Sequence, residues 1–126
     1  KYLITPEQEF VEAHSFLAIV ENKEIPSLKS LKVSDASYIL GLLDCIGELK
    51  RFVLDNIRND QLKKADRIFN VMENLYQALY PFAMYDKIVK ETRRKLDVNR
   101  ILVEETRAVI TEEIRRNHFV KALTKK

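Results

Sequence analysis

Four carboxylates stand at helical spacing among apolar neighbours: Glu9 with Glu12, and Asp44 with Glu48. Spacings of i,i+3 and i,i+4 bring each pair to one side of its own helix, where like charges cost roughly 0.2–0.5 kcal/mol. Phe10, Val11, Phe16 and Leu17 flank the first pair, and Leu42, Leu43, Ile46 and Leu49 flank the second. Glu9 and Glu12 share their side with Ala13, Phe16 and Val20, which is not a solvent-facing set. Acids in such a setting are suited to holding a cation. The donor set is all oxygen, and His14 and His118 lack partners at zinc-like spacing. A hard ion, Mg²⁺ or Mn²⁺, is therefore the expected cofactor. Such an ion lowers the pKa of a bound water and stabilises charge on a transferred phosphoryl group, the usual equipment for phosphodiester hydrolysis. Spacing alone leaves two plainer readings open: a solvated helix face for Glu9 and Glu12, and a structural ion pair with Lys50 or Arg51 for Asp44 and Glu48.

Charge is divided unevenly along the chain. Residues 1–62 carry 7 Lys and Arg against 10 Asp and Glu, while residues 63–126 carry 15 against 9. The acidic half holds the carboxylates and the basic half could meet a polyanion. Arg93, Arg94, Lys95, Arg100, Arg107, Arg115 and Arg116 make that half dense in arginine, which suits phosphate better than lysine does. Many of these residues also fit a solvated face with i,i+4 pairs. Tyr76, Tyr80, Phe82 and Tyr85 could stack on bases, but core or interface anchoring is favoured for them. Cys45 lacks an activating neighbour and reads as a small core residue.

The elements that must position these groups are helical. Thr5-Pro6-Glu7-Gln8 has the form of a capped helix start, with Pro6 at the first position and Gln8 completing a capping box. That helix should run to about residue 22, followed by a polar connection over 23–33. A second helix is expected from Ser34 or Asp35 to Arg58, with Ile39, Leu42, Leu43, Ile46, Leu49, Val53 and Ile57 on one broad face. Both glycines, Gly41 and Gly47, fall on the opposite side with Asp44, Glu48 and Arg51. Glycine inside a helix costs up to about 1 kcal/mol relative to alanine, so close approach of a helix or ligand is expected there. Asn59-Asp60 ends the pattern, a third helix follows over about 61–80, and Pro81 interrupts it. A long helix then keeps its period to about Leu123. Val89, Leu96, Val103 and Ile110 recur every seven residues, and Arg93, Arg100 and Arg107 do so on another stripe. The expected architecture is all-α, an antiparallel bundle of four or five long helices.

Composition agrees. The chain has 126 residues, 2 Gly, 3 Pro and 33% charged residues, which suits one mostly helical domain over 1–126. The lone cysteine fits a reducing, cytoplasmic setting, and neither a membrane span nor a signal peptide is expected.

Two stretches carry a family resemblance. Gln8-Glu9-Phe10-Val11-Glu12-Ala13 with Ser15-Phe16 resembles a segment of translin-associated factor X. Tyr38-Ile39-Leu40-Gly41-Leu42-Leu43-Asp44, then Gly47-Glu48-Leu49 and Arg51, resembles a second segment of that family in the same order. The aromatic third helix and long Arg-rich final helix are similar to the translin superfamily generally. The resemblance implies Mg²⁺-dependent endoribonuclease activity on single-stranded RNA, with Glu9, Glu12, Asp44 and Glu48 as the catalytic and metal-holding acids. It also implies binding of single-stranded RNA or DNA, for which Arg51, Arg93, Arg94, Arg100 and Arg107 are the candidates. Assembly is expected as a roughly octameric homo-oligomeric shell, or as a hetero-oligomer with a translin-like chain. The family has an additional N-terminal helical region, and the resemblance leads to the expectation that this domain lacks most of it. The low glycine content suggests a compact version, of archaeal or thermophilic kind. The alternative from another class is a non-catalytic nucleic-acid-binding scaffold of the translin type. A third is a helical assembly protein whose acids form only interfacial salt bridges.

Overall fold

Thr5 starts the first helix as expected. Its hydroxyl accepts from the Gln8 backbone N–H at 3.1 Å, while its own N–H donates to Gln8 Oε1 at 3.3 Å. The computed structural model describes residues 5–84 and 89–125. Its helices are α1 (Pro6–Val20), α2 (Leu28–Leu31), α3 (Asp35–Arg58), α4 (Leu62–Leu79) and α5 (Val89–Thr124), with a 3₁₀ turn over Tyr80–Met84. Every regular element among the described residues is helical, so the all-α class holds. Tyr85 and the side chain of Val89 lie outside the described residues.

The ends of these helices follow local chemistry. Ser34 caps α3 by accepting from the Ser37 N–H at 3.1 Å. Asp60 takes a left-handed conformation (φ 63°), which folds α4 back on α3. Pro81 lies in the 3₁₀ turn where the sequence placed its interruption. The polar connection proves to contain the single turn of α2, capped by Ser27, whose hydroxyl accepts from the Ser30 N–H.

Pairings across the bundle give the helix directions. Glu7 accepts from Ser34, Val11 meets Gly41, and Phe16 stacks edge-on against Phe52 at 5.5 Å. Positions rise together, so α1 runs parallel to α3. The connection from residue 21 to 34 returns along α3, where Tyr38 donates to the Pro26 carbonyl at 2.7 Å. Lys95 pairs with Asp44, Asn99 donates to the Leu43 carbonyl, and Lys50 pairs with Glu105, so α5 also runs parallel to α3. The α3/α4 and α4/α5 neighbours are antiparallel, and Arg107 pairs with Glu73 across the second of them.

α3 is the central helix. It packs against α1, α4 and α5, and buries Ile39, Leu40, Leu42, Leu43, Cys45, Ile46, Leu49 and Val53. Contact with three helices explains why both of its sides are covered, where one apolar face was expected. On α5, Leu96, Val103 and Ile110 are each only 3% exposed, so the sevenfold apolar repeat is the seam. A second buried row, Thr92, Asn99 and Thr106, interleaves with it. No helix of the described residues is long and apolar enough to cross a membrane.

Candidate functional site

Gly41 allows a close contact between α1 and α3. A methyl group there would sit 2.6 Å from Val11 Cβ and 2.8 Å from the Gln8 carbonyl oxygen. The glycine thus lets α1 lie against the α3 backbone at the level of the acids, meeting the expectation of close approach. Gly47 differs, because only Leu102 Cδ1, at 4.0 Å, comes near the place of its missing side chain. It borders a cleft of about 280 Å³ between α3 and α5, lined by Leu43, Asp44, Gly47, Arg94, Lys95, Val98, Asn99 and Leu102.

Parallel register brings acids from both helices together. Burial first, then Asp44, Glu48 and Glu9 in falling order, push the Glu12 carboxyl above its ordinary range, with Lys95 opposing. Glu12, Asp44 and Glu48 also help to raise the thiol of buried Cys45, pushed up to about 12 chiefly by desolvation. These three carboxylates therefore share one neighbourhood, reached from α1 and α3. Glu9 contributes least and is exposed, as is Ala13. The expected apolar setting of Glu9 is corrected here: positions three apart are offset by about 60° around a helix, and the edge of the buried face falls between Glu9 and Glu12.

Asp44 has the most constrained side chain of the set, 14% exposed, and its Oδ1 pairs with Lys95 Nζ, itself 13% exposed. Its Oδ2 is buried without a hydrogen-bond partner. Asn99 fixes the adjacent register by donating to the Leu43 carbonyl at 2.9 Å. Glu48 is half exposed and lies 3.8 Å from Arg51. The structural ion pairs considered from spacing are thus present in part. Glu48 has Arg51, whereas Lys50 reaches Glu105 and Asp44 takes a partner from a distant helix. Lys95 as that partner, and the polar row Thr92, Asn99 and Thr106, were missed. The row was legible as polar positions three after each apolar heptad residue from Val89 to Val103.

Glu12, Asp44 and Glu48 are the residues that could hold a hard cation. Among the described residues, no three acid, thiol or imidazole side chains are already drawn together as a metal site. The orphaned Asp44 oxygen and the excess of acids over Lys95 around Glu12 nevertheless suit an added positive charge.

The arginine candidates are distributed differently. Arg93 and Arg94 are exposed, and Arg94 borders the cleft. Arg100 lies 3.7 Å from Glu104 on its own helix. Arg107 is committed to Glu73 and lies over the Phe69 ring, 6.0 Å from its centroid, so it ties α5 to α4. Tyr80 is exposed and 6.2 Å from the half-buried Tyr76 ring, while Phe82 is half-buried against the core.

Known proteins resemble the chain in sequence and fold. The profile of the Translin family matches residues 3–110. An uncharacterised protein of Methanocaldococcus jannaschii is 47% identical over 106 residues, which is 83% of this chain and 47% of that protein. A structure of AfC3PO in complex with duplex RNA superposes with a TM-score of 0.78 at 31% identity, covering 87% of this chain and 58% of that one. A crystal structure of AfC3PO gives 0.77 at 32% identity, with the same coverage. The chain thus spans about half the length of the relatives it matches.

Proposed function

The chain belongs to the translin family, and from that premise we propose that it is a metal-dependent endoribonuclease that binds and cleaves single-stranded RNA. The observation that carries this reading is a buried Asp44 oxygen lacking a partner, on the side of the α1/α3 pair where the charges of Glu12 and Glu48 are also felt. A protein that only bound a polyanion would gain nothing from repelling carboxylates there. Mg²⁺ or Mn²⁺ fits these oxygen donors, and when bound it would supply an acidified water and charge stabilisation at the phosphoryl group. Glu12, Asp44 and Glu48 would hold it, and Glu9, one turn away on the exposed side, would join them or orient water. Arg51, Arg93, Arg94 and Arg100 would bind the RNA backbone.

The AfC3PO complex with duplex RNA supports a ribonucleotide polymer as the ligand class. Assembly into a shell, with copies of itself or with a translin-like chain, is supported by the apolar residues exposed on α5, including Val98, Ile101, Val109, Phe119 and Leu123. The test is cleavage of labelled single-stranded and duplex RNA with Mg²⁺ and with EDTA, by the wild type, Glu12→Gln and Asp44→Asn. Turnover confined to wild type with Mg²⁺ and to the single strand is expected, and equal product in all arms would sink the reading.

A second reading is a non-catalytic scaffold for single-stranded RNA or DNA. It is favoured by the Asp44–Lys95 pair, which satisfies part of the acid face without an ion. Salt-dependent RNA binding without Mg²⁺-dependent turnover would select it.

A further inference from the structure

Lys95 comes from a third helix, yet its ammonium lies against the carboxylate that the proposed ion would need most. Both side chains are more than four-fifths buried, and α5 is pinned at this level by the Asn99 bond to the Leu43 carbonyl. Lys95 also acts on Glu12, as a positive charge opposing the acids around it. A buried pair of this kind persists only when the ammonium and carboxylate answer one another, because either charge left alone is costly to bury. The pair leaves Asp44 Oδ2 unsatisfied, and among the described residues no three acids are gathered as a site. A protein-supplied charge thus sits on the acid face.

We propose that Lys95 is a built-in counter-ion that competes with the divalent metal for Asp44, so that the metal binds only by displacing the Lys95 ammonium into the adjoining α3/α5 cleft. The cleft borders Lys95 and offers it room beside Gly47, Val98 and Leu102. Exchange of this kind favours divalent ions. A monovalent ion brings no more charge than the ammonium it would replace, whereas Mg²⁺ or Mn²⁺ brings twice as much to Glu12, Asp44 and Glu48 together. Lys95 acts here as a positioning residue, through Asp44.

The inference rests on the metal reading above, and the experiment separates the two. Mn²⁺ affinity is measured by titration calorimetry on wild type, Lys95→Met, Lys95→Gln and Lys95→Arg. Removing a unit charge beside the ion should tighten Mn²⁺ binding about tenfold or more in the Met and Gln variants, given the strength of close charge interactions in a protein interior. Lys95→Arg, which keeps the charge, should stay near wild type. Equal affinities throughout, or weaker binding in the neutral variants, would overturn the competition while leaving the metal reading standing. Undetectable Mn²⁺ binding in all four would overturn both. Wild type alone gives a second readout that needs no variant to fold: acylation of Lys95 by acetic anhydride, followed by peptide mass mapping, should quicken several-fold when Mg²⁺ is added. An unchanged or slower rate would count against displacement.

Discussion

Gly41 and Val11 touch through the absence of a side chain: a Cβ on Gly41 would stand 2.6 Å from that of Val11. The contact sets how near α1 lies to α3, and with it how near Glu12 comes to Asp44 and Glu48. Gly41→Ala should therefore destabilise the fold by about 1–3 kcal/mol, the range for overpacking a tight contact. Gly47→Ala, with open space before it, should instead stabilise by about 0.5–1 kcal/mol from helix propensity alone. Urea denaturation of the two variants checks both signs at once.

Glu12 carries a stability cost that depends on pH. Its folded-state carboxyl is raised by burial and then by Asp44, Glu48 and Glu9. A carboxyl shifted upward on folding destabilises the fold while it is ionised, and the penalty fades as pH falls through the raised folded value to the ordinary one near 4.5. With EDTA present, Glu12→Gln should melt a few degrees above wild type at pH 7. The gap should close on acidification to about pH 4. A wild type as stable as the variant at neutral pH would contradict the assignment.

Arg67 closes the C-terminal end of α1. Its guanidinium donates to the Ile19 carbonyl at 3.2 Å, the Val20 carbonyl at 3.3 Å and Asn22 Oδ1 at 3.4 Å. Arg67→Ala should cost about 1.5–3 kcal/mol, as expected for hydrogen bonds from a charged donor. Arg67→Lys should recover only part of this, since an ammonium cannot reproduce the fork. Thermal melts compare the three proteins.

Cys45 should be inert in the native protein. It is fully buried, and its thiol is pushed up to about 12 by desolvation and by the nearby acids. Alkylation by iodoacetamide at pH 8 should follow global unfolding, with no faster phase. A rapid native-state reaction would show the α1/α3 face to be open.

The arginines should divide by function. Arg93→Ala and Arg94→Ala should each lower the slope of log affinity for single-stranded RNA against log salt by roughly 0.7, one phosphate contact apiece. Arg107→Ala should leave that slope alone and reduce stability by up to about 1 kcal/mol, because its partners are Glu73 and Phe69. Fluorescence anisotropy over a salt series distinguishes the two groups.

Much of the fold was legible because it is local. Thr5 with Gln8, Ser34 with Ser37, and the Asn59-Asp60 turn act over three or four residues, and Leu96, Val103 and Ile110 repeat within one helix. The direction of α1 was not legible, since the connection from residue 21 to 34 is long enough to return the chain in either sense. Lys95 escaped for a similar reason: nothing in periodicity ties it to Asp44 on another helix. That Asp44 and Glu48 share one side of α3 could be read from spacing, because that too is local. Glu9 misled because helical spacing names a side of the helix without locating where burial stops.

The parallel seating of α1 and α5 on α3 has a consequence for how the molecule matures. The α3/α4 hairpin joins sequence neighbours and closes a short loop, but each parallel partner must arrive by a crossover, at a greater cost in chain entropy. A chain with only the hairpin formed holds Asp44 and Glu48 without Glu12 or Lys95. The acid face should therefore be a late product of folding, complete only when both α1 and α5 have docked on α3.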